Sequence, residues 1–148
     1  MDKVGHILQL ISISRLSNQL NDSNLKLKKS ENRFRELFNQ THIPMCIFNL
    51  KTKKFVKCNR YLCEILGYSE RELQSLNIEN LIIKEDYRNS IDVINLNLKK
   101  QKLSEFSNRY ITKSGEIINI KWTFTQGDEE GISYCVASKF TLDTNNKL

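Results

Sequence analysis

Histidine is nearly missing from this sequence: His6 and His42 are the only two among 148 residues. General acid–base and nucleophilic catalysis lean heavily on histidine. No Ser-His-Asp grouping, paired-carboxylate constellation or glycine-rich phosphate loop takes its place, so the chain is not expected to be an enzyme. His42, just ahead of the first expected strand, reads as an ordinary surface group, with a pH-responsive role as the rival reading. Long apolar runs are missing as well. The longest are a few residues, far below the roughly 20 needed to span a bilayer, and no signal-peptide pattern opens the chain. A cytoplasmic location without membrane contact is expected. Cys46, Cys58, Cys63 and Cys135 form no Cys-x-x-Cys pair and have no histidine at ligand spacing. That argues against zinc and for small buried hydrophobes in a reducing compartment. A redox role for Cys58 or Cys63 is the weaker alternative, because nothing nearby lowers a thiol pKa.

What is present suits one domain with an appended element. Hydrophobic residues make up 39% of the chain, enough for one small core. The net charge of +6 comes from dispersed lysines: Lys26, Lys28 and Lys29, then Lys51, Lys53 and Lys54, then Lys99, Lys100 and Lys102. No DNA-binding motif or aromatic-basic pattern accompanies them. Solvated surface explains them better than nucleic acid, and nonspecific polyanion binding stays a remote alternative.

Residues 1–40 carry helical signals and no proline. Ile13, Leu20, Leu27 and Phe34 recur every seven residues, and Leu16 and Leu37 hold the companion position three later, where Ser23 and Ser30 interrupt the second row. Such a stripe pairs with its twin as a short coiled coil or folds onto its own domain. Self-association is favoured, because an isolated helix of this length needs cover for its apolar row. The run Asn21-Asp22-Ser23-Asn24 is a place where the helix could break or bend, and Pro44 is expected to stop it.

The most informative stretch follows. A short strand ends at Asn59, the apolar helix Arg60-Tyr61-Leu62-Cys63-Glu64-Ile65-Leu66 comes next, and Gly67 closes it. Ser69 then caps a second short helix, with Glu72 three residues on, the spacing of a capping box. This order, with the string Leu66-Gly67-Tyr68-Ser69-Glu70-Arg71-Glu72-Leu73, resembles the PAS family of sensory and interaction domains over residues 31–143. The turn Thr112-Lys113-Ser114-Gly115-Glu116 is a second matching piece. The resemblance implies an α+β fold: a PAS-like five-stranded antiparallel sheet with short helices on one face and an N-terminal amphipathic helix. The expected division is 1–40 helix, 41–143 PAS domain and 144–148 C-terminal tail. Strands are expected near 45–50, 54–57, 105–112, 116–125 and 131–140. Short helices are expected near 59–66, 69–75 and 78–82, and a longer one from about 85 with Tyr87, Ile91, Ile94 and Leu98 facing the core.

The strand Ile118-Asn119-Ile120-Lys121-Trp122-Thr123-Phe124-Thr125 alternates apolar and polar, so one face is buried. By resemblance, that face looks into a cavity between sheet and helices, lined by Cys46, Phe48, Leu66, Tyr87, Ile91, Tyr110, Ile120, Trp122, Phe124, Ala137 and Lys139. Trp122 could stack on a ligand, but a ring at this position more often fills the core. Lys139 could meet a carboxylate there, or snorkel out if the register slips by one. With the first and last strands adjacent, as in PAS sheets, Met45, Ile47, Tyr134, Val136 and Phe140 would form an apolar outer patch in need of cover. Together with Ile13, Leu16, Leu20, Leu27 and Phe34 they are the expected dimer and helix-docking residues.

The flavin-binding light sensors of the family carry Asn-Cys-Arg-Phe-Leu-Gln after the Gly-Tyr-Ser helix. Here the stretch is Asn77-Ile78-Glu79-Asn80-Leu81-Ile82-Ile83, without cysteine, and no flavin adduct is expected. Haem-binding members use a histidine from the helical side, whereas His6 and His42 both precede the first strand; a histidine-ligated haem is not expected either. No cofactor is assigned, and an unidentified small molecule is left open. The usual closing Asp-Ile-Thr is only fragmentary in Thr141-Leu142-Asp143-Thr144. The resemblance implies a sensory and dimerisation module of a signal-transduction protein, of the histidine kinase or cyclic-dinucleotide kind. It would act through an effector domain or a partner signalling protein by dimer rearrangement. The alternative is a pure protein–protein interaction module with a filled cavity and no ligand.

Overall fold

Asn59 turns a strand into a helix by hydrogen bonding. In the computed structural model, which describes residues 3–98 and 103–143, its Oδ1 accepts from Leu62 N at 3.0 Å and from Met45 N at 3.1 Å. Its Nδ2 donates to Ile43 O at 2.8 Å. One fully buried side chain thus caps helix α2 (Arg60–Leu66) and ties it to the start of strand β1 (Met45–Asn49). At the other end of α2, Gly67 takes the left-handed conformation, φ 79°, that its missing Cβ permits. Ser69 Oγ then accepts from Glu72 N at 3.1 Å and starts α3 (Glu70–Ser75).

The remaining elements are β2 (Lys54–Cys58), a single 3₁₀ turn (Ile78–Asn80), α4 (Lys84–Asn97), β3 (Ser104–Ile111), β4 (Ile117–Phe124) and β5 (Ile132–Leu142). They form one antiparallel sheet in the order β2-β1-β5-β4-β3. The first and last strands lie side by side at its centre, as the resemblance implies. Both sheet edges are covered, which removes open templates for strand addition. On β2, Cys58 N donates to Glu70 Oε2 and Gln74 Nε2 donates to Val56 O. On β3, the chain just after the 3₁₀ turn bonds the edge through Ile111 N to Leu81 O and Ile83 N to Arg109 O. Leu81 is still in the turn, with Leu81 N and Ile82 N both donating to Ile78 O at 3.0 Å, and pairing with β3 then claims the backbone at Ile82 and Ile83, so the helix expected to residue 82 is a single turn.

The N-terminal helix α1 runs unbroken over Lys3–Gln40. It passes straight through 21–24, since a few weak helix formers cost only tenths of a kcal/mol each (about 0.5) inside a long cooperative helix. It ends four residues before Pro44, with Thr41 to Ile43 leading into β1. Residues 1–37 and 38–148 are two compact units. The expected tail 144–148 and Lys99, Lys100 and Lys102 lie outside the described residues.

Candidate functional site

The inner face of the sheet carries the core. Phe48, Ile118, Ile120, Trp122, Phe124 and Ala137 project from β1, β4 and β5 and are buried, as is Tyr110 from β3. Between this face and α4 lies a cavity of about 60 Å³. Of the expected lining residues, Cys46, Phe48, Tyr110, Trp122 and Phe124 border it. Leu66, Ile120 and Ala137 are buried in the same core but away from the cavity wall. Tyr87 and Ile91 are half-buried at its periphery.

On α4, Ile94 lies in the core and Tyr87, Ile91 and Leu98 pack against it, the expected face, but Tyr87 and Ile91 do not border the cavity. The residues of α4 that border the cavity are Ser90, Val93 and Ile94, and the buried row is Ser90, Ile94 and Asn97. Two of these three are polar, so apolar periodicity could not find them. Both are buried at low cost because each bonds the preceding turn: Ser90 Oγ donates to Asp86 O at 2.7 Å and Asn97 Nδ2 to Val93 O at 2.8 Å. Leu50, Phe55, Ile78, Phe106, Asn108 and Cys135 complete the wall.

Lys139 does not face inward. The β4–β5 ladder slips between Lys121 and Trp122, so that Trp122 pairs with Ala137 and Lys121 with Lys139. Ser138 is the extra residue of this bulge, its Oγ donating to Lys121 O at 3.1 Å. Every residue after it changes face. Lys139 is exposed, while Phe140 pairs with the fully buried Ile120, packs against the core and meets the Tyr61 ring edge-on at 5.8 Å. Phe140 therefore leaves the outer patch. Met45, Ile47, Tyr134 and Val136 stay on the outer face as lateral pairs, Met45 beside Val136 and Ile47 beside Tyr134; Tyr134 is 55% exposed. On α1, Ile13, Leu16, Leu20, Leu27 and Phe34 are all more than 40% exposed.

The cavity has a polar corner. Ser90 gives its proton to Asp86 O, so its oxygen accepts from Asn108 Nδ2 at 3.1 Å. That fixes the amide and turns Asn108 Oδ1 away. Among the described residues, Asn108 Oδ1 and Trp122 Nε1 are the buried side-chain polar atoms that lack a full hydrogen bond. Tyr110 sits beside both, its ring 6.3 Å from that of Trp122. Burial pushes its hydroxyl above the ordinary phenol value and the buried Cys46 thiol adds to this, while hydrogen bonding of the hydroxyl to the Asn108 and Trp122 side chains pulls the other way, so the Tyr110 oxygen is the group that both of these atoms face. Cys46 lies between Cys58 on β2 and Cys135 on β5. Burial pushes the Cys46 and Cys58 thiols up; burial and then Glu70 push Cys63 up to about 11. Among the described residues, no three His, Cys, Asp or Glu side chains are grouped to hold a metal ion, and no helix is long and apolar enough to cross a membrane.

The two sequence motifs meet in space. Lys113, from the turn between β3 and β4, donates its backbone N–H to Leu66 O at 3.0 Å and lies over the Tyr68 ring. Its ammonium pairs with Glu72 at 3.0 Å. Lys113, with help from the Ser69 amide, holds the Glu72 carboxyl below its ordinary value. His42 meets Tyr61 edge-on at 5.5 Å.

Residues 55–138, more than half of the chain, match the family model described as PAS fold. No curated protein matches the chain. Among solved structures, the PAS domain of an HTR-like protein from Haloarcula marismortui superposes with a TM-score of 0.67 at 15% identity, covering 82% of this chain and 99% of that one. A domain of a sensory box sensor histidine kinase/response regulator from Geobacter sulfurreducens gives 0.64 at 16%, covering 76% and 96%. The Rhodobacter sphaeroides LOV protein gives 0.60 at 13%, covering 80% and 69%. At such identities these likenesses speak for the fold alone. The sheet order, the Asn59 and Gly67 caps and the match across residues 55–138 place this chain in the PAS family.

Proposed function

We propose that the chain is a sensory and dimerisation module of a signal-transduction protein, in which two copies pair along the apolar seam of α1 and relay a signal by rearranging that pairing. One observation carries this reading: α1 holds Ile13, Leu16, Leu20, Leu27, Phe34 and Leu37 at heptad spacing with every one exposed. A helix of 38 residues with such a row gains stability mainly from a partner. The outer sheet residues Met45, Ile47, Tyr134 and Val136 offer a second surface for pairing. Kinship to domains of sensor histidine kinases supports an output of the histidine kinase or cyclic-dinucleotide kind, reached through an effector domain or a partner, and this module has no catalytic part in it. The four cysteines are all unbridged thiols, which fits a reducing cytoplasm.

The seam is tested by the double variant Leu20→Asp, Leu27→Asp, which sets like charges into the proposed interface. Light scattering should give a dimer mass for the native chain and a monomer mass for the variant; a native monomer, or an unchanged dimer in the variant, rejects the seam. A second reading, an interaction module with no ligand, draws on the cavity of about 60 Å³, far below the roughly 300 Å³ of ordinary ligand pockets.

A further inference from the structure

We infer that Cys46 and Cys135, paired across the two central strands of the sheet, are a peroxide-sensitive modification site that closes reversibly into a disulfide. The inference does not depend on pairing along α1. From the sequence, Cys58 and Cys63 are the residues weighed for a redox role; the fold brings a different pair together. Cys46 on β1 is the lateral partner of Cys135 on β5, and the two thiols hydrogen-bond each other. They differ in what they offer an oxidant. Cys46 is 4% exposed and burial pushes its thiol up, whereas Cys135 is only half-buried. The Cys46 thiol holds Cys135 below its ordinary value against the push of burial, and the Ser133 hydroxyl, 3.8 Å from Cys135 Sγ, adds to the lowering. An accessible, thiolate-prone sulfur beside a shielded one is the arrangement of an attacking and a resolving cysteine. Cys58, on the other side of Cys46, does not compete: it is 2% exposed, and burial, then Cys63 and Glu70, push its thiol up.

The chemistry balances with hydrogen peroxide as the oxidant. The Cys135 sulfur attacks one peroxide oxygen, the O–O bond breaks, and the other oxygen leaves with the thiol proton as water. Cys135 is then a sulfenic acid, oxidised by two electrons. The Cys46 sulfur attacks it, the S–S bond forms, and the hydroxyl leaves with the Cys46 proton as a second water. The ladder makes the bond easy to undo. Ala137 N donates to Pro44 O and Leu50 N to Gly131 O, so Cys46 and Cys135 sit on a hydrogen-bonded rung of the same register, with Cα atoms about 5.5 Å apart. That separation lies within the disulfide window, but lateral Cβ atoms about 5 Å apart must close toward roughly 3.8 Å. A bond that draws the strands together is strained, and strained disulfides are the readily reduced, regulatory ones.

Trypsin cuts after Lys51, Arg60 and Lys121 among other sites and so places each of the four cysteines on its own peptide. Full-length protein, reduced, freed of reductant and treated with hydrogen peroxide, should lose two of its four thiols. The peptide holding Cys46 should be joined to the one holding Cys135, and dithiothreitol should reverse both changes. Cys46→Ser should leave a sulfenic acid on Cys135 that dimedone traps, whereas Cys135→Ser should give neither a link nor a trapped acid at Cys46. Should either variant fail to fold, the linkage map of the native chain still decides. A link through Cys58 or Cys63, a link between two chains, survival of all four thiols, or the same mixture of links in urea-unfolded protein overturns the inference.

Discussion

At the scale of single residues, the sequence announces positions more readily than partners. Asn59 is readable as a helix cap from its place before an apolar run. Its bonds to Met45 N and Ile43 O are not readable, because they join segments about fifteen residues apart whose approach only the folded sheet creates. Asp86 makes the same point with charge. It accepts from Arg109 N and Nε at 2.9 Å and from Arg109 Nη2 at 2.8 Å, pinning α4 to β3. The Arg109 side chain, then its backbone amide, hold the Asp86 carboxyl below its ordinary value. A carboxyl depressed in the folded state contributes stability that is complete above the unfolded value, about pH 4, and is lost as pH falls through the lower folded value. Asp86→Asn lacks that contribution. In urea unfolding the native chain should be the more stable protein near neutrality, and the gap should narrow as pH falls from about 4 toward 2. A gap that stays constant over this interval would assign the acid sensitivity to other groups.

Whole elements were legible where a single periodicity governs them and illegible where it is interrupted. On β4, strict alternation names Ile118, Ile120, Trp122 and Phe124 as inward, and all four are buried. On β5, alternation works up to Ala137 and then inverts, because Ser138 is looped out of the ladder. Nothing in Ala137-Ser138-Lys139-Phe140 marks the bulge except its consequence: a lysine returned to water and a phenylalanine returned to the core. On α4, the buried Ser90 and Asn97 escape an apolar template because they satisfy their polar groups locally, and with them the polar corner of the cavity escapes too. Deleting Ser138 leaves Lys139 opposite Lys121 and Phe140 opposite Ile120 in a regular ladder. That deletion should cost about 1 kcal/mol or less. Deleting Thr123 from the regular β3–β4 ladder turns Trp122 or Phe124 to the wrong face and should cost at least about 3 kcal/mol, or prevent folding. Equal damage from the two deletions would return Lys139 to the interior and remove the bulge.

For the molecule as a whole, a stretch with a seven-residue period precedes a stretch with PAS motifs, and the structure forms two compact units, 1–37 and 38–148. The reason is physical: a heptad row buries little within its own helix, whereas the strands from Met45 onward bury their inner face among themselves and their short helices. Each unit therefore has its own source of stability, and a cut within α1 separates them. A chain lacking residues 1–28 keeps Phe48, Tyr110, Trp122 and Phe124, all in the second unit, but loses Ile13, Leu16, Leu20 and Leu27 from the seam. Its Trp122 fluorescence should match that of the full chain, because the indole environment is built wholly from residues beyond 37. Its mass by light scattering should fall to that of a monomer, and its unfolding midpoint should lose any dependence on protein concentration. A shortened chain that stays dimeric would move the pairing to Met45, Ile47, Tyr134 and Val136 on the outer sheet. A shortened chain with red-shifted Trp122 emission would mean that the second unit needs the helix in order to fold.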